Sequence, residues 1–298
     1  MTDPLRPTPL PTPAVFADAP LPDASLAAPR ALALRSAGRR HGPITRLISP
    51  HDLGELLKPF VFLDAFDVEA AGAPRFGIHP HSGIATFSAL ITGCFSYEDT
   101  TGKSGVLQEG GVEWMRAGRG VWHDGAPASD GRIAGYQLWV ALPPALELAE
   151  PESVYLPPAA VPQVGPARVL LGSLDGVRSP VPAPEGMTYL MVTLADGESW
   201  TYTPAPGERV AFAAVHVGAL RTPAPLRAGE LGVFAPSDAP VCVHADGFTR
   251  FVFGAARPHP YPLVTGRSSV HTTPAALAAG EQRIRAIGEE LVAAGRLR

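Results

Sequence analysis

The amino-acid sequence predicts an all-β fold of two tandem β-barrels followed by one C-terminal helix. Short apolar runs separated by turn residues extend along most of the chain, one nine-residue segment recurs in the second half, and helical spacing begins near the end. The chain has 298 residues, of which 46% are hydrophobic and 17% charged. It is therefore globular and long enough for two domains of about 120 to 150 residues.

The order of these features predicts four regions. Residues 1–30 are rich in proline and alanine and have neither a strand nor a helix period, so we expect a disordered tail. The strand-like segments then predict an N-terminal domain over residues 31–150 and a C-terminal domain over residues 151–273, followed by a helix over residues 274–298. The proline-rich stretch from Pro143 to Pro166 is interpreted as the linker between the domains.

Strand candidates recur in both halves, with one helical turn expected near His51 to Leu57. The candidates are Phe60–Leu63, Ile84–Ile91, Gly111–Met115 and Tyr136–Val140 in the first half, and Thr188–Leu194, Arg209–Phe212 and Phe251–Phe253 in the second. Short strands at this spacing favour a barrel or a sandwich. The segment Leu107–Met115 aligns with Leu226–Phe234, which favours two related halves.

The end of the chain changes to a helical pattern. Thr273 can cap a helix that begins at Pro274. The apolar positions that fall on one face of this helix are Leu277, Ile284, Ile287 and Leu291. Because Gly280 and Gly288 each weaken a helix by about 1 kcal/mol relative to alanine, we expect packing on a barrel to stabilise it.

Composition excludes several classes of function. The net charge is -4, and Lys58 and Lys103 are the only lysines, so the scattered arginines form no stripe for nucleic acid. Cys94 and Cys242 form neither a Cys-x-x-Cys pair nor a disulfide framework. The sequence shows no signal-peptide pattern and no apolar run of roughly 20 residues, so we expect a cytoplasmic protein without membrane contact.

Three histidines are the candidate metal ligands. His79 and His81 flank Pro80, and residues two apart on a strand point to the same face, so both imidazoles can be directed at one point. Proline places this pair on an edge strand or at a barrel mouth. His123 follows 42 positions after His81 (123 minus 81), which is room for two or three short strands to return beside the pair. The alternative for an isolated His-Pro-His is a solvated turn.

Four segments around these histidines resemble the pirin family. They are Lys58–Asp64, His79–Gly83, Glu98–Gly102 and Val112–His123. The resemblance extends over residues 45 to 296 and is strongest in the first half. It implies a bicupin fold, which is two cupin-type β-barrels in tandem, with one divalent transition metal in the N-terminal barrel. Fe(II) is the expected metal, and Zn, Cu, Ni or Mn are alternatives.

By this resemblance, His79, His81 and His123 occupy the positions of the family's metal histidines. The fourth family ligand is a glutamate two residues after the last histidine, and this chain has Gly125 there. Two further familiar positions differ. Ala85 stands where the general cupin motif has glutamate, and Tyr97 stands where many pirins have histidine.

The remaining acids of this region do not replace that carboxylate on sequence grounds. Asp124 is adjacent to His123, and neighbours on a regular strand face opposite sides, so only a bulge brings it to the metal. Glu98 and Glu113 are interpreted as a solvated turn position and an outward-facing strand position. Three neutral imidazoles leave the full charge on a divalent ion, which favours an anionic ligand such as an enediol, a flavonolate or a carboxylate.

The second half is not expected to bind metal. When Gly218 is aligned with Gly93, Pro204 and Pro206 stand where the first half has its histidine pair. The single histidines of the second half, His216 and His244, are interpreted as hydrogen-bonded core or rim residues.

The resemblance implies two kinds of function, and a third stays open. Some pirins act as flavonol 2,3-dioxygenases, so we expect metal-dependent oxygenation of a small anionic or aromatic ligand in the N-terminal barrel. Eukaryotic pirins are described as transcriptional coregulators, so the alternative is a non-enzymatic, metal-responsive protein that binds a protein partner. The third possibility is a barrel that has lost its metal. The sequence identifies no catalytic residue.

Overall fold

The computed structural model of this chain describes residues 29–72, 77–222 and 224–297. The predicted N-terminal tail lies outside the described residues except for Pro29 and Arg30. No helix among the described residues is long and apolar enough to cross a bilayer.

Most described residues of the first half lie in twelve strands and one short helix. The strands are β1 Leu32–Ser36, β2 Arg39–His41, β3 Ile44–Ile48, β4 Phe60–Glu69, β5 His79–His81, β6 Ile84–Thr92, β7 Phe95–Asp99, β8 Ser104–Leu107, β9 Val112–Arg116, β10 Val121–Pro127, β11 Arg132–Ala141 and β12 Glu152–Leu156. Helix α1 spans Leu53–Leu57 and is capped by Asp52, so the predicted helical turn is confirmed.

The described part of the second half has the same character. Its strands are β13 Gln163–Val164, β14 Ala167–Leu171, β15 Ser173–Leu174, β16 Val177–Arg178, β17 Met187–Leu194, β18 Ser199–Tyr202, β19 Val210–Arg221, β20 Leu226–Arg227, β21 Leu231–Phe234, β22 Val241–Ala256, β23 Val264–Thr265 and β24 Val270–His271. Helix α2 spans Pro274–Ala293. Every predicted strand is present.

The strands form three large antiparallel sheets. A seven-stranded sheet in the order β12-β9-β6-β11-β4-β3-β2 and a four-stranded sheet in the order β5-β10-β7-β8 enclose the first barrel. A nine-stranded sheet in the order β1-β21-β19-β22-β17-β14-β13, with β18 on β22 and β20 on β19, builds the second. The predicted all-β fold of two tandem cupin-type barrels with a C-terminal helix is therefore confirmed.

Two strands differ from the expected organisation. The stretch from Pro143 to Pro166 is not a linker, because β12 lies within it and pairs with β9 at the edge of the first barrel. Its prolines flank a short segment, Glu152–Leu156, that is free of proline and can therefore join a sheet. Strand β1 precedes the first barrel in sequence but pairs with β21 of the second. The predicted domain boundaries stay a prediction.

Aromatic side chains form the core between the two barrels. Phe60 and Phe87 of the first barrel meet Tyr189 and Phe212 of the second, with ring centroids 5.3 to 6.3 Å apart. All four side chains are fully buried. Burying each such ring contributes about 1.5–3 kcal/mol, so this shared core is a major source of stability.

Helix α2 packs on the first barrel. The Thr273 hydroxyl accepts a hydrogen bond from Ala276 N at 3.1 Å, so the predicted cap is confirmed. A Cβ atom at Gly288 would lie 2.9 Å from the Trp122 ring, and one at Gly280 would lie 2.5 Å from Ser82 Oγ. The two glycines that weaken the isolated helix therefore allow it to approach the barrel closely.

Candidate metal centre

The two strands that carry the candidate histidines lie side by side. Strand β5 pairs with β10, and the register places His79 opposite His123 and His81 opposite Val121. Residues directly opposite each other, or two apart on one strand, point to the same face of a sheet. All three imidazoles therefore project from one face. Strand β5 lies at the sheet edge, as Pro80 predicted.

The three imidazole rings form a close triangle. Ring centroids are 5.1 Å apart for His79 and His81, 4.4 Å for His79 and His123, and 5.1 Å for His81 and His123. One ligand atom from each ring lies within 4.8 Å of the other two. This group could hold a metal ion, and imidazole nitrogens suit Fe, Ni, Cu and Zn.

Backbone carbonyls fix the orientation of two rings. Nδ1 of His79 lies 2.8 Å from Gly77 O, and Nδ1 of His81 lies 2.9 Å from Ser268 O. Because a carbonyl oxygen only accepts, each Nδ1 carries the proton and each Nε2 keeps a free lone pair. Nε2 of His123 is buried without a hydrogen-bond partner. A buried nitrogen of this kind is unfavourable unless it binds something, so the donor set fits a metal.

Burial and the neighbouring histidines keep the imidazoles of His81 and His123 neutral. Burial, and then the neighbouring His79, lower the pKa of His81 to about 3. Burial, and then His81 and His79, lower the pKa of His123 well below its ordinary value. Only a neutral imidazole donates a lone pair to a metal, so His81 and His123 are in the ligating form at neutral pH.

A cavity of about 450 Å³ opens beside the imidazoles. The rings of Phe62 and Trp139 stack in its wall with centroids 4.2 Å apart, and Trp139 meets His81 edge-on at 5.0 Å. The Arg46 guanidinium lies 3.9 Å from the Phe62 ring centroid and is paired with Asp64. The size and the aromatic wall suit a small planar molecule.

The last part of the chain completes this cavity. Residues 265–270 line it and supply the Ser268 carbonyl that orients His81. Next to that carbonyl, the Ser82 hydroxyl donates to Ser269 Oγ at 2.8 Å, and Ser82 Oγ is 3.0 Å from His271 Nε2. The position of His81 therefore depends on a segment 187 residues away in sequence.

Glu147 holds His271 and Thr272, the two residues that follow the 265–270 segment, in place. Its Oε2 atom is 3.2 Å from His271 Nδ1 and accepts from Thr272 N at 2.6 Å, while Oε1 accepts from Thr272 Oγ1 at 2.7 Å. Serine, histidine and glutamate in this order activate a nucleophile in some hydrolases. Ser82, however, is fully buried and donates its proton to Ser269, so these contacts form a structural clamp.

Sequence comparison decides the family. The pirin family model matches residues 42–140, which include all three histidines. A pirin-like protein from Caulobacter vibrioides is 31% identical over 230 residues, which cover 74% of this chain and 83% of that protein. This chain belongs to the pirin family. The resemblance inferred from the histidine segments is confirmed.

Two solved structures share the fold of this pirin. Quercetin 2,3-dioxygenase from Acinetobacter baumannii matches 87% of this chain and 97% of its own with a TM-score of 0.80 at 21% identity. The bacterial pirin YhhW from Escherichia coli, in complex with nickel(II), matches 77% of this chain and 98% of its own with a TM-score of 0.61 at 19% identity. At these identities the likeness concerns the fold.

In the structure of this pirin, a side chain at position 125 would have to displace the Phe95 ring. A Cβ atom on Gly125 would lie 2.5 Å from Cε1 of Phe95 and 3.1 Å from Ser96 O. The Phe95 ring therefore fills the space next to the strand where the family places its glutamate. Ala85, at the general cupin position, is buried in the core that the barrels share and so does not face the imidazoles.

Two of the three remaining acids do not reach the imidazoles. The register of β10 is regular around Asp124, so no bulge redirects its side chain, which accepts from Gly125 N at 2.8 Å. Glu98 lies on β7, not in a turn, and pairs with Arg296 at 3.1 Å on the surface. Tyr97 lines the cavity and stacks on Tyr155, with ring centroids 3.5 Å apart.

Glu113 contradicts its sequence interpretation as an outward-facing residue. Its carboxylate is buried and lines the cavity, and Oε1 lies 3.9 Å from His123 Nδ1. Strand β9 is buried on both faces, with Val112 and Trp114 in the shared core and Glu113 on the interior face of the first barrel. The predicted alternation of β9 is correct, but the face that carries Glu113 points into the interior of the first barrel and not into solvent.

The two second-half histidines considered in the sequence, His216 and His244, lie apart from the imidazole triangle. His244 Nδ1 is 2.9 Å from Ser199 Oγ, and His216 packs edge-on to Tyr136. Pro204 and Pro206 lie in the loop after β18. Among the residues that the structure describes, the histidine triangle of the first barrel is the one group with metal-ligand spacing.

Proposed function

We propose that this pirin binds one divalent transition metal, Fe(II) in its working form, through His79, His81 and His123. The observation that carries the proposal is the convergence of three imidazoles, two of them oriented by carbonyl oxygens and one with an unpartnered buried Nε2, beside a cavity. The nickel(II) in the pirin from Escherichia coli supports a divalent metal in this fold.

We propose further that the protein is a dioxygenase of a flavonol or another enediol-type small molecule. The fold that it shares with quercetin 2,3-dioxygenase from Acinetobacter baumannii supports this substrate class. A cavity of about 450 Å³ with an aromatic wall accommodates a planar ring system. A metal-responsive, protein-binding role is the alternative, and no contact in the described residues favours it.

A bound metal would act as Lewis acid and template for the deprotonated substrate. The residues of this chain do the positioning. The carbonyls of Gly77 and Ser268 hold His79 and His81 in one tautomer, so their Nε2 atoms face the ligand without reorganisation. The Phe62 and Trp139 stack offers a flat aromatic surface that favours a planar substrate, and the 265–270 segment forms part of the cavity wall.

Metal content and oxygen uptake test the proposal together. Protein purified without chelator should contain about one metal per chain, whereas His79→Ala and His123→Ala should contain almost none, because two imidazoles remain. His244→Ala is the matched control and should keep its metal. Equal, near-zero metal in all four proteins would reject the site. Quercetin-dependent oxygen uptake by protein stripped with chelator should require added Fe(II), and no uptake with or without it would reject this substrate while leaving the metal site intact.

A further inference from the structure

Glu113 is a buried carboxylate that the proposed chemistry does not use. The residue is 8% exposed and lines the cavity beside His81 and His123, whose pKa values burial lowers. The Ser88 hydroxyl donates to Oε2 at 2.7 Å, and the Tyr155 hydroxyl lies 3.3 Å from Oε1. Ser88 therefore holds the carboxylate in place on the interior face of β9, while the single Tyr155 proton is shared between Glu113 and Asp99.

Glu113 is a buried acid that shares the Tyr155 hydroxyl with a second acid, Asp99. Burial raises its pKa, and Asp99, which accepts from the Tyr155 hydroxyl at 2.9 Å, raises it further. The hydrogen bonds from Ser88 and Tyr155 act in the opposite direction. Among the described residues, no arginine or lysine side chain forms an ion pair with Glu113, and its charged-pair neighbour is His123. A divalent ion on His123 would supply the missing positive charge.

We infer that Glu113 is the carboxylate of this metal centre, and that it acts from behind His123 instead of from position 125. The inference rests on the proposed metal site. The separation of 3.9 Å between Oε1 and Nδ1 is longer than a hydrogen bond. A carboxylate at that distance nevertheless stabilises a metal-bound imidazole through charge, and it favours the tautomer with the proton on Nδ1 and the lone pair on Nε2.

This placement explains how the barrel holds a metal without its usual acid. A glutamate at position 125 would meet the Phe95 ring, whereas Glu113 lines the same cavity from β9. The carboxylate then lies behind an imidazole and not on the metal, so one more coordination position stays open for an anionic substrate than in a three-histidine, one-glutamate site. Glu113 is thus a positioning residue that acts through His123.

The test is the affinity for Ni(II), measured by competition with a chelator, in wild-type protein, Glu113→Gln and Glu98→Gln. Glutamine keeps the shape of Glu113, because its carbonyl oxygen can accept from Ser88 and its NH2 group can donate to the Tyr155 oxygen, whose proton goes to Asp99. The change therefore removes mainly the charge. We expect Ni(II) to bind Glu113→Gln about 10 to 100-fold more weakly, with unchanged stoichiometry. Glu98→Gln, the matched control on the surface of the same barrel, should bind like wild type.

The outcomes separate the two proposals. No Ni(II) binding by wild-type protein would reject the proposed metal site, whereas equal dissociation constants for wild type and Glu113→Gln would overturn only the role of Glu113. If Glu113→Gln does not fold, Glu113→Asp retains the charge and should bind Ni(II) within about threefold of wild type. A loss of tenfold or more in Glu113→Asp would show that shape, and not charge, is needed, and this also overturns the inference.

Discussion

The first barrel encloses a cavity of about 450 Å³, whereas the interior of the second barrel is filled by aromatic side chains. In the second barrel, the rings of Trp200, Tyr202 and Phe234 surround Phe253, at 5.3, 4.7 and 6.5 Å between centroids. The two interiors are built from related strands. The difference shows that the fold does not require a hollow centre, so the cavity and its polar lining serve another purpose.

A pair of facing residues accounts for part of this difference. In the first barrel Ser88 of β6 lies opposite Glu113 of β9, and both side chains enter the cavity. The corresponding pair in the second barrel is Ala213 of β19 and Gly232 of β21. Small residues there leave room for neighbours such as Leu226, whose Cδ1 would lie 2.4 Å from a Cβ on Gly232. Packing in one barrel thus replaces hydrogen bonding in the other.

The largest expected effect separates stability from metal binding. Phe253→Ala should lower the free energy of unfolding by about 3–5 kcal/mol, because it leaves a cavity in a filled interior. Ni(II) affinity should not change, since no ring of this cluster lines the metal cavity. Urea unfolding and chelator competition measure the two quantities. A matching loss of Ni(II) affinity would show that the second barrel supports the site directly and would contradict the comparison.

Acid should destabilise the first barrel through the buried, neutral imidazole of His81. The pKa of His81 is about 3 in the folded chain, against about 6.5 when unfolded. Below pH 6.5 the unfolded chain therefore binds more protons, and stability falls as the pH decreases toward 3. At pH 5 the His81 imidazole alone should lower the free energy of unfolding of the metal-free protein by about 2 kcal/mol.

The measurement is urea unfolding of metal-free wild type and His81→Gln at pH 7 and pH 5. The variant cannot titrate at this position. Between pH 7 and pH 5 its free energy of unfolding should therefore fall by about 2 kcal/mol less than that of wild type. The raised pKa of Glu113 has the opposite sign but is present in both proteins and cancels in the difference. An equal fall in both proteins would contradict the burial of a neutral His81.

Local patterns in the sequence were sufficient for the strands, for α2 and for the histidine triangle. The period of two in β5 and the cap at Thr273 depend only on residues close in the chain, and so these predictions are confirmed. The prediction that Glu113 faces solvent is wrong, because alternation along a strand shows only that its two faces differ. It does not show what each face contacts. One face of β9 packs in the core that the two barrels share. The other face points into the cavity of the first barrel and not into solvent, so Glu113 is buried there.

Contacts between distant segments were beyond local patterns. No sequence period indicates that Ser268 orients His81, since the two residues are 187 positions apart. The same holds for β1, which leaves its own half to pair with β21. One signal was available for the interior of the first barrel, because β6 carries the polar residues Thr86 and Ser88 in an otherwise apolar run, both of them buried. Polar side chains on a buried strand indicate a lined cavity.

The smallest expected effect concerns the clamp that joins the end of the chain to the hollow barrel. His271→Ala removes the ring that lies between Ser82 and Glu147, so the Ser268 carbonyl is held less firmly against His81. Ni(II) affinity should fall about 10-fold, the lower end of the effect of losing an outer partner of a metal ligand.

Ser199→Ala, which removes a hydrogen-bonding partner of a histidine in the second barrel, is the matched control and should leave Ni(II) affinity unchanged. Thermal unfolding with chelator checks that His271→Ala remains folded. If a folded His271→Ala protein binds Ni(II) as tightly as wild type, the 265–270 segment lines the cavity but is not needed to orient the His81 imidazole. The strands of the first barrel would then be sufficient to orient the three ligands, and the difference between the two barrels would depend on the first barrel alone.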